Sequence, residues 1–140
     1  MRQVAEFYIK GRTYKHLDKK RIIIFGCGTG SPFFTTDTAA ALKAAEIHAD
    51  ALVKATNVDG VYDSDPKKNK DAKKYDKISY LEVLNKKLKV MDYTSTTMCM
   101  DNEIPIIVVN INNKDDLKNA ILSKKVGTII AWFDKTHTFC

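Results

Sequence analysis

Within thirteen residues the chain places three glycines, Gly26, Gly28 and Gly30, and then a cluster of three hydroxyls and a carboxylate at Thr35, Thr36, Asp37 and Thr38. Glycines in such a run let main-chain N–H groups turn toward a ligand and approach it closely. Hydroxyls at the head of a following helix add donors beside that helix's own unpaired N–H groups and its partial positive charge. The chemistry this favours is the holding of a phosphate. Three hydroxyls and a carboxylate also exceed what one helix cap requires, which weighs against a glycine-rich turn that only links two elements. Neither common phosphate loop fits: the dinucleotide spacing would need glycine at Ser31 or Phe33, and the Walker A spacing would need Gly-Lys at Ser31-Pro32.

A loop of this kind needs a strand before it and a helix after it. The run Ile22-Ile23-Ile24-Phe25 is apolar without alternation and predicts a strand covered on both faces, and Ala39 to Ile47 predicts the helix. Asp50 to Thr56 then reads as the second strand of a right-handed βαβ unit. Asp59-Gly60 is a turn signal, and the polar run from there to Lys77 is too long for a simple connector, so it reads as a lid, a binding loop or a mobile segment. Upstream, Gln3 to Lys19 has the apolar spacing of an amphipathic helix weakened at Gly11. Downstream, Ser79 and Glu82 have capping-box spacing and open a short helix to about Lys86. A helix is expected from Met91 to Glu103 with Asp92 at its start and Met98, Cys99 and Met100 as packing residues. A strand from Ile106 to Ile111, a helix from Asp115 to Leu122 and a last strand from Val126 to Ile130 follow; Trp132 to Cys140 shows no pattern. The alternation predicts an α/β fold, a three-layer α/β/α arrangement with a mainly parallel sheet, with residues 1–131 as one domain and 132–140 as a tail. Ligands of such sheets sit beyond the carboxyl ends of the strands, so the loops at Gly26–Thr36 and Thr56–Asp65 are expected to share one rim.

Composition narrows the function classes. The net charge is +6 and the pI about 9.2, but the excess lysines, Lys67, Lys68, Lys70, Lys73, Lys74, Lys77, Lys86, Lys87 and Lys89, carry no interleaved stacking aromatics. They read as a solvated basic surface, with no nucleic acid as partner. No stretch has the apolar length of a membrane span. Cys27, Cys99 and Cys140 are odd in number and unevenly spaced, which suits neither a disulfide framework nor a zinc site and fits a reducing compartment.

Two blocks carry a family resemblance. Gly28-Thr29-Gly30-Ser31-Pro32-Phe33-Phe34-Thr35-Thr36-Asp37-Thr38-Ala39-Ala40 closely resembles the GTGNPFFTTDTAA signature of bacterial-type UMP kinase, a member of the amino acid kinase superfamily, and Lys54 to Pro66 is similar to its KATKVDGVY segment. The likeness runs from about Tyr8 to Ile130 and is to the family's C-terminal half. It implies transfer of the γ-phosphoryl group of ATP to UMP with Mg²⁺ assisting, a UMP site at Thr29, Gly30, Ser31, Pro32, Phe33, Phe34, Thr35 and Thr36, and ATP contacts at Thr56, Tyr62 and Asp65. It also implies a catalytic Asp37 that orients a lysine or the metal, since an unpaired carboxylate there would repel phosphate; a helix-head acid stabilised by the dipole is the other reading of that residue. No protein metal ligand is assigned. Homo-oligomers, hexamers in the family, and a cytoplasmic location, or a plastid-type organelle should a segment precede Met1, are further expectations. Ser31 stands where the family has Asn, which puts pyrimidine discrimination in doubt. The family's N-terminal half has no counterpart here, so the chain alone is expected to bind nucleotide weakly and turn over slowly or not at all. Two alternatives stay open: a relative with another acceptor, such as an amino acid or carbamate, and a non-catalytic nucleotide-binding or assembly module.

Overall fold

Four buried side chains, Leu52, Ile106, Ile130 and Ile78, lie on four different strands and form one row, each opposite the next. The computed structural model, which describes residues 4–66, 68–122 and 125–133, builds the rest of the core around that row. In chain order the elements are α1 (Lys10–Asp18), α2 (Thr36–Glu46), β1 (Leu52–Thr56), β2 (Val61–Tyr62), β3 (Lys74–Tyr75), β4 (Lys77–Ser79), α3 (Tyr80–Asn85), α4 (Tyr93–Asp101), β5 (Ile106–Asn110), α5 (Lys114–Ile121) and β6 (Thr128–Ala131). The main sheet has the order β1-β5-β6-β4; β1 with β5 and β4 with β6 are parallel, and β5 with β6 is antiparallel. The fold is therefore α/β with a mainly parallel mixed sheet, as the alternation of elements predicts.

Helices α2, α3 and α4 bring Ala41, Ala44, Tyr80, Val83 and Cys99 onto the isoleucine row. Burial among these side chains pushes the Cys99 thiol up to about 11, so it acts as an apolar packing group. Tyr80 donates its hydroxyl to the Ile104 carbonyl and meets Trp132 edge to face at 5.8 Å, and the indole N–H of Trp132 reaches the Met100 carbonyl at 3.2 Å. Val109, which strand alternation turns to the opposite face, and Ala120 of α5 are buried outside that cluster, and α5 packs along β5. Gly127 makes the tight entry to β6: its φ is +68°, and a Cβ there would stand 1.9 Å from the Val108 carbonyl oxygen.

The long polar excursion holds a small antiparallel hairpin, β2 with β3, that the sequence does not announce. Thr128 of β6 ties it to the main sheet, accepting from the Val61 N–H at 2.8 Å and donating to the Tyr75 carbonyl. Strand β4 is likewise unannounced, because three residues with one apolar side chain carry no readable period.

Two expected elements differ. The amphipathic pattern from Gln3 gives a helix only over Lys10–Asp18, and Met1–Gln3 lie outside the described residues. Tyr8 is drawn away from a helical path: its hydroxyl bonds Glu46 at 2.6 Å, its ring takes the Lys43 ammonium at 3.4 Å, and it meets Phe25 edge to face at 5.7 Å. The larger correction is the run Ile22–Phe25, which is not a strand. A strand needs a hydrogen-bonded neighbour, and among the described residues β1 pairs only with β5. A groove of ≈420 Å³ separates Phe25 and Gly26 from Leu52 and Val53 of β1. Ile22 and Ile24 are left 96% and 92% exposed, each with about 1.5–3 kcal/mol of burial unrealised.

Candidate active site

The loop from Gly26 to Thr35 folds back through left-handed backbone at Cys27, Gly28, Gly30 and Phe33 and delivers the chain to the head of α2. Thr29 closes a local turn, its hydroxyl accepting from the Ser31 N–H at 3.1 Å. Thr35 caps the helix by accepting from the Thr38 N–H at 3.2 Å, and its own hydroxyl proton goes to the Asp92 carboxylate. The Thr38 hydroxyl donates to the same carboxylate at 3.2 Å, and Asp92 in turn caps α4 by accepting from the Ser95 N–H at 2.8 Å. One carboxylate thus fixes the head of α2 against the head of α4. Burial alone would raise the Asp92 pKa, but bonds from Thr35, Ser95 and Thr38 outweigh it and hold the group below the ordinary carboxylate value. With the Thr35 and Thr38 protons directed to Asp92, the loop offers an anion the Thr36 hydroxyl and the free N–H groups of the first helical turn.

Asp37, in that first turn, forms an ion pair with Lys54 of β1; both side chains are about three-quarters buried. Lys54 and Thr56 are two apart on one strand and so project from the same face. The pair therefore joins the head of α2 to the carboxyl end of β1, where the second loop begins. Charge-assisted bonds of this kind fix the position of an ammonium group that would otherwise swing freely.

Beyond that end lies a cleft of ≈400 Å³, a volume in the range of small-molecule sites. Thr56, Tyr62 and Asp65, the three residues expected to meet ATP, all line it. The Tyr62 hydroxyl donates to Asp59 at 2.7 Å, which raises the phenol's pKa and lowers that of Asp59, and Lys74 adds an ion pair to Asp59 at 3.0 Å. These bonds set the ring on the cleft wall. Asp63 is held below the ordinary carboxylate value by the Lys73 N–H at 2.9 Å and by Ser64.

A further part of the lining is a finding the sequence reading missed. Lys86, Lys87 and Lys89, read there as solvated surface, line the same cleft together with Leu88 and Val90. Lys86 is bound to the Tyr75 hydroxyl at 3.3 Å and to Glu82 at 3.4 Å. Asp92 was legible only as a helix cap; nothing in one dimension says that its carboxylate serves two threonines more than fifty residues upstream.

Of the acceptor residues, Thr36 lines the groove on the α2 side of the loop with Gly26 and Gly28, whereas Thr29, Gly30, Ser31, Pro32, Phe33 and Phe34 line neither the groove nor the cleft. Phe33 is fully exposed at φ +70°. The two loops thus meet through the Asp37–Lys54 pair and not across one shared cavity. Among the described residues no three His, Cys, Asp or Glu side chains gather as a metal cage.

The sequence profile of the amino acid kinase family matches residues 8–110. Among solved structures, UMP kinase from Bacillus anthracis superposes with a TM-score of 0.90 at 41% identity, over 92% of this chain and 53% of that one. UMP kinase from Ureaplasma parvum gives 0.88 at 36% identity, over 94% and 57%, and uridylate kinase from Archaeoglobus fulgidus 0.69 at 35%, over 84% and 56%. The chain spans a little over half the length of each of these solved kinases. With the glycine–threonine loop, the cleft beyond β1 and a profile covering more than half of its residues, the chain belongs to the amino acid kinase family.

Proposed function

We propose that this chain carries the acceptor loop and the donor cleft of a UMP kinase, and that the reaction it serves is transfer of the γ-phosphoryl group of ATP to UMP. The bond from the γ-phosphorus to the β–γ bridging oxygen breaks, a bond from that phosphorus to a phosphate oxygen of UMP forms, and ADP and UDP result. The observation that carries this reading is the Asp37–Lys54 pair, which ties the first turn of α2, where the glycine–threonine loop ends, to β1, the strand whose last residue Thr56 lines the nucleotide-sized cleft. An ammonium there neutralises charge on a phosphoryl group passing from one side to the other, and such transfer depends on positioning and charge neutralisation more than on covalent chemistry. The N–H groups at the head of α2 hold the UMP phosphate, Tyr62 packs against the base of ATP, and Lys87 and Lys89 draw its phosphates to the cleft. Magnesium supplies further charge neutralisation when it arrives with the nucleotide.

The test is a chimera in which this chain replaces its matched portion of the Bacillus anthracis enzyme, assayed for UDP from ATP and UMP, with CMP and amino acid acceptors in parallel. UDP formation supports the reading. A folded chimera that binds neither nucleotide and forms no UDP overturns it. A second reading, nucleotide binding without turnover, is favoured for the chain by itself by its half-length match; calorimetry would then show ATP binding to the chain with no UDP formed.

A further inference from the structure

The lysine-bearing part of the cleft lining runs directly into the carboxylate that holds the head of α2. Lys86 to Val90 line the cleft, and a single residue, Met91, separates them from Asp92. The connection is stiff. The N–H groups of Lys86, Leu88 and Val90 bond the carbonyls of Glu82, Val83 and Leu88 at 2.9, 3.0 and 3.0 Å, and Leu88, Val90 and Met91 pack against the core. Asp92 is gripped from the α4 side as well: its main-chain carbonyl accepts from the Ser95 hydroxyl at 2.9 Å and the Thr96 hydroxyl at 3.0 Å, and both of those residues are buried. Its carboxylate takes the hydroxyl protons of Thr35 and Thr38, the residues that bracket Thr36 and Asp37. A displacement of the Lys86–Val90 segment is therefore carried to the head of α2, because little between them can absorb it.

We propose that Asp92 is a positioning residue that couples the two ends of the site: a nucleotide in the cleft, by engaging Lys87 and Lys89, sets the head of α2 through the Asp92 carboxylate, so that the acceptor phosphate is held more tightly when the cleft is filled. This inference rests on the phosphoryl-transfer reading and adds to it the residue through which the donor prepares the acceptor loop. By linkage, the acceptor tightens the hold on the donor by the same factor. The Asp37–Lys54 pair joins the same helix head to β1, so part of the coupling survives without Asp92. Asparagine at position 92 keeps an acceptor for the Ser95 N–H, but its one carbonyl has two lone pairs and cannot serve that N–H and two hydroxyls together.

The test is calorimetric titration of UMP into the full chain, first alone and then saturated with a non-hydrolysable ATP analogue and magnesium. The analogue is expected to tighten UMP binding about tenfold. In Asp92→Asn that ratio should fall to about threefold or less, and Thr38→Val, which removes one of the two hydroxyls and leaves Asp92 in place, should lower it in the same direction. Ser95→Ala is the control for stability. It loosens α4 beside Asp92 but spares the bonds to Thr35 and Thr38, so it should lower the melting temperature and keep the ratio. UMP and analogue that bind independently in the unaltered chain, a ratio unchanged in both Asp92→Asn and Thr38→Val, or a ratio that falls equally in Ser95→Ala overturns the proposal while leaving the phosphoryl-transfer reading intact. Failure of the analogue or of UMP to bind at all overturns that reading, and this inference with it.

Discussion

Asp92 has more consequences than any other single side chain here, because it closes the heads of two helices at once. Asp92→Ala should cost about 2–3 kcal/mol in urea denaturation, combining a lost cap with two lost charge-assisted bonds. Asp92→Asn, which keeps a capping acceptor, should cost less. The folded-state pKa of Asp92 is depressed, so its contribution is complete above about pH 4 and is lost as pH falls below it. The Ala variant should accordingly show a flatter stability profile than the wild type on the acid side, and equal loss at every pH would contradict this. At the cleft, Tyr62→Phe keeps the ring and removes only the bond to Asp59, so ATP affinity measured by calorimetry should change less than about threefold, whereas Tyr62→Ala should weaken it about tenfold. In the chimera, Ser31→Asn should sharpen the preference for UMP over CMP by about tenfold in kcat/KM, since a carboxamide both donates and accepts in a fixed plane. At this scale the sequence was informative about types and uninformative about partners. The motif placed Asp37 and Lys54 in separate blocks, and only the packing of α2 on β1 makes them a pair.

Elements were legible where they were long or capped. The box at Ser79 and Glu82 is present in both directions, the Glu82 N–H meeting the Ser79 hydroxyl at 3.2 Å and the Ser79 N–H meeting the Glu82 carboxylate at 3.3 Å. Ser79→Ala should therefore destabilise by about 1 kcal/mol. Gly127→Ala should cost about 2–4 kcal/mol, since it adds left-handed strain to a collision with a carbonyl that belongs to the sheet. Denaturant midpoints of the two variants test the order; equal values would mean that β6 shifts freely to make room. The short pieces β2, β3 and β4 were not legible. Their strand character comes from the bonds of Thr128 and from pairing with β6, not from a period of their own.

For the molecule as a whole, the row Leu52–Ile106–Ile130–Ile78 and the exposed run Ile22–Ile24 mark opposite ends of local stability. Native-state hydrogen exchange should find the amides of β5, paired on both sides, among the slowest and those of Ile22–Ile24 among the fastest. Comparable protection in both would mean that the run is paired in solution. The apolar character of Ile22–Phe25 was plain in the sequence and its strand expectation was reasonable, yet composition says only that a segment gains from burial. Whether it is buried depends on a neighbour being there to pair with it. The sequence by itself determined the α/β class, the capped helices, the isoleucine-rich strands and the family signature, because each is written in residues close together along the chain. The tertiary structure decided which hydroxyls Asp92 would claim, that Lys54 would meet Asp37, that three lysines would line one cleft with Tyr62, and that Ile22 and Ile24 would stand exposed. Those outcomes depend on distances between residues far apart in the chain, and only packing sets such distances.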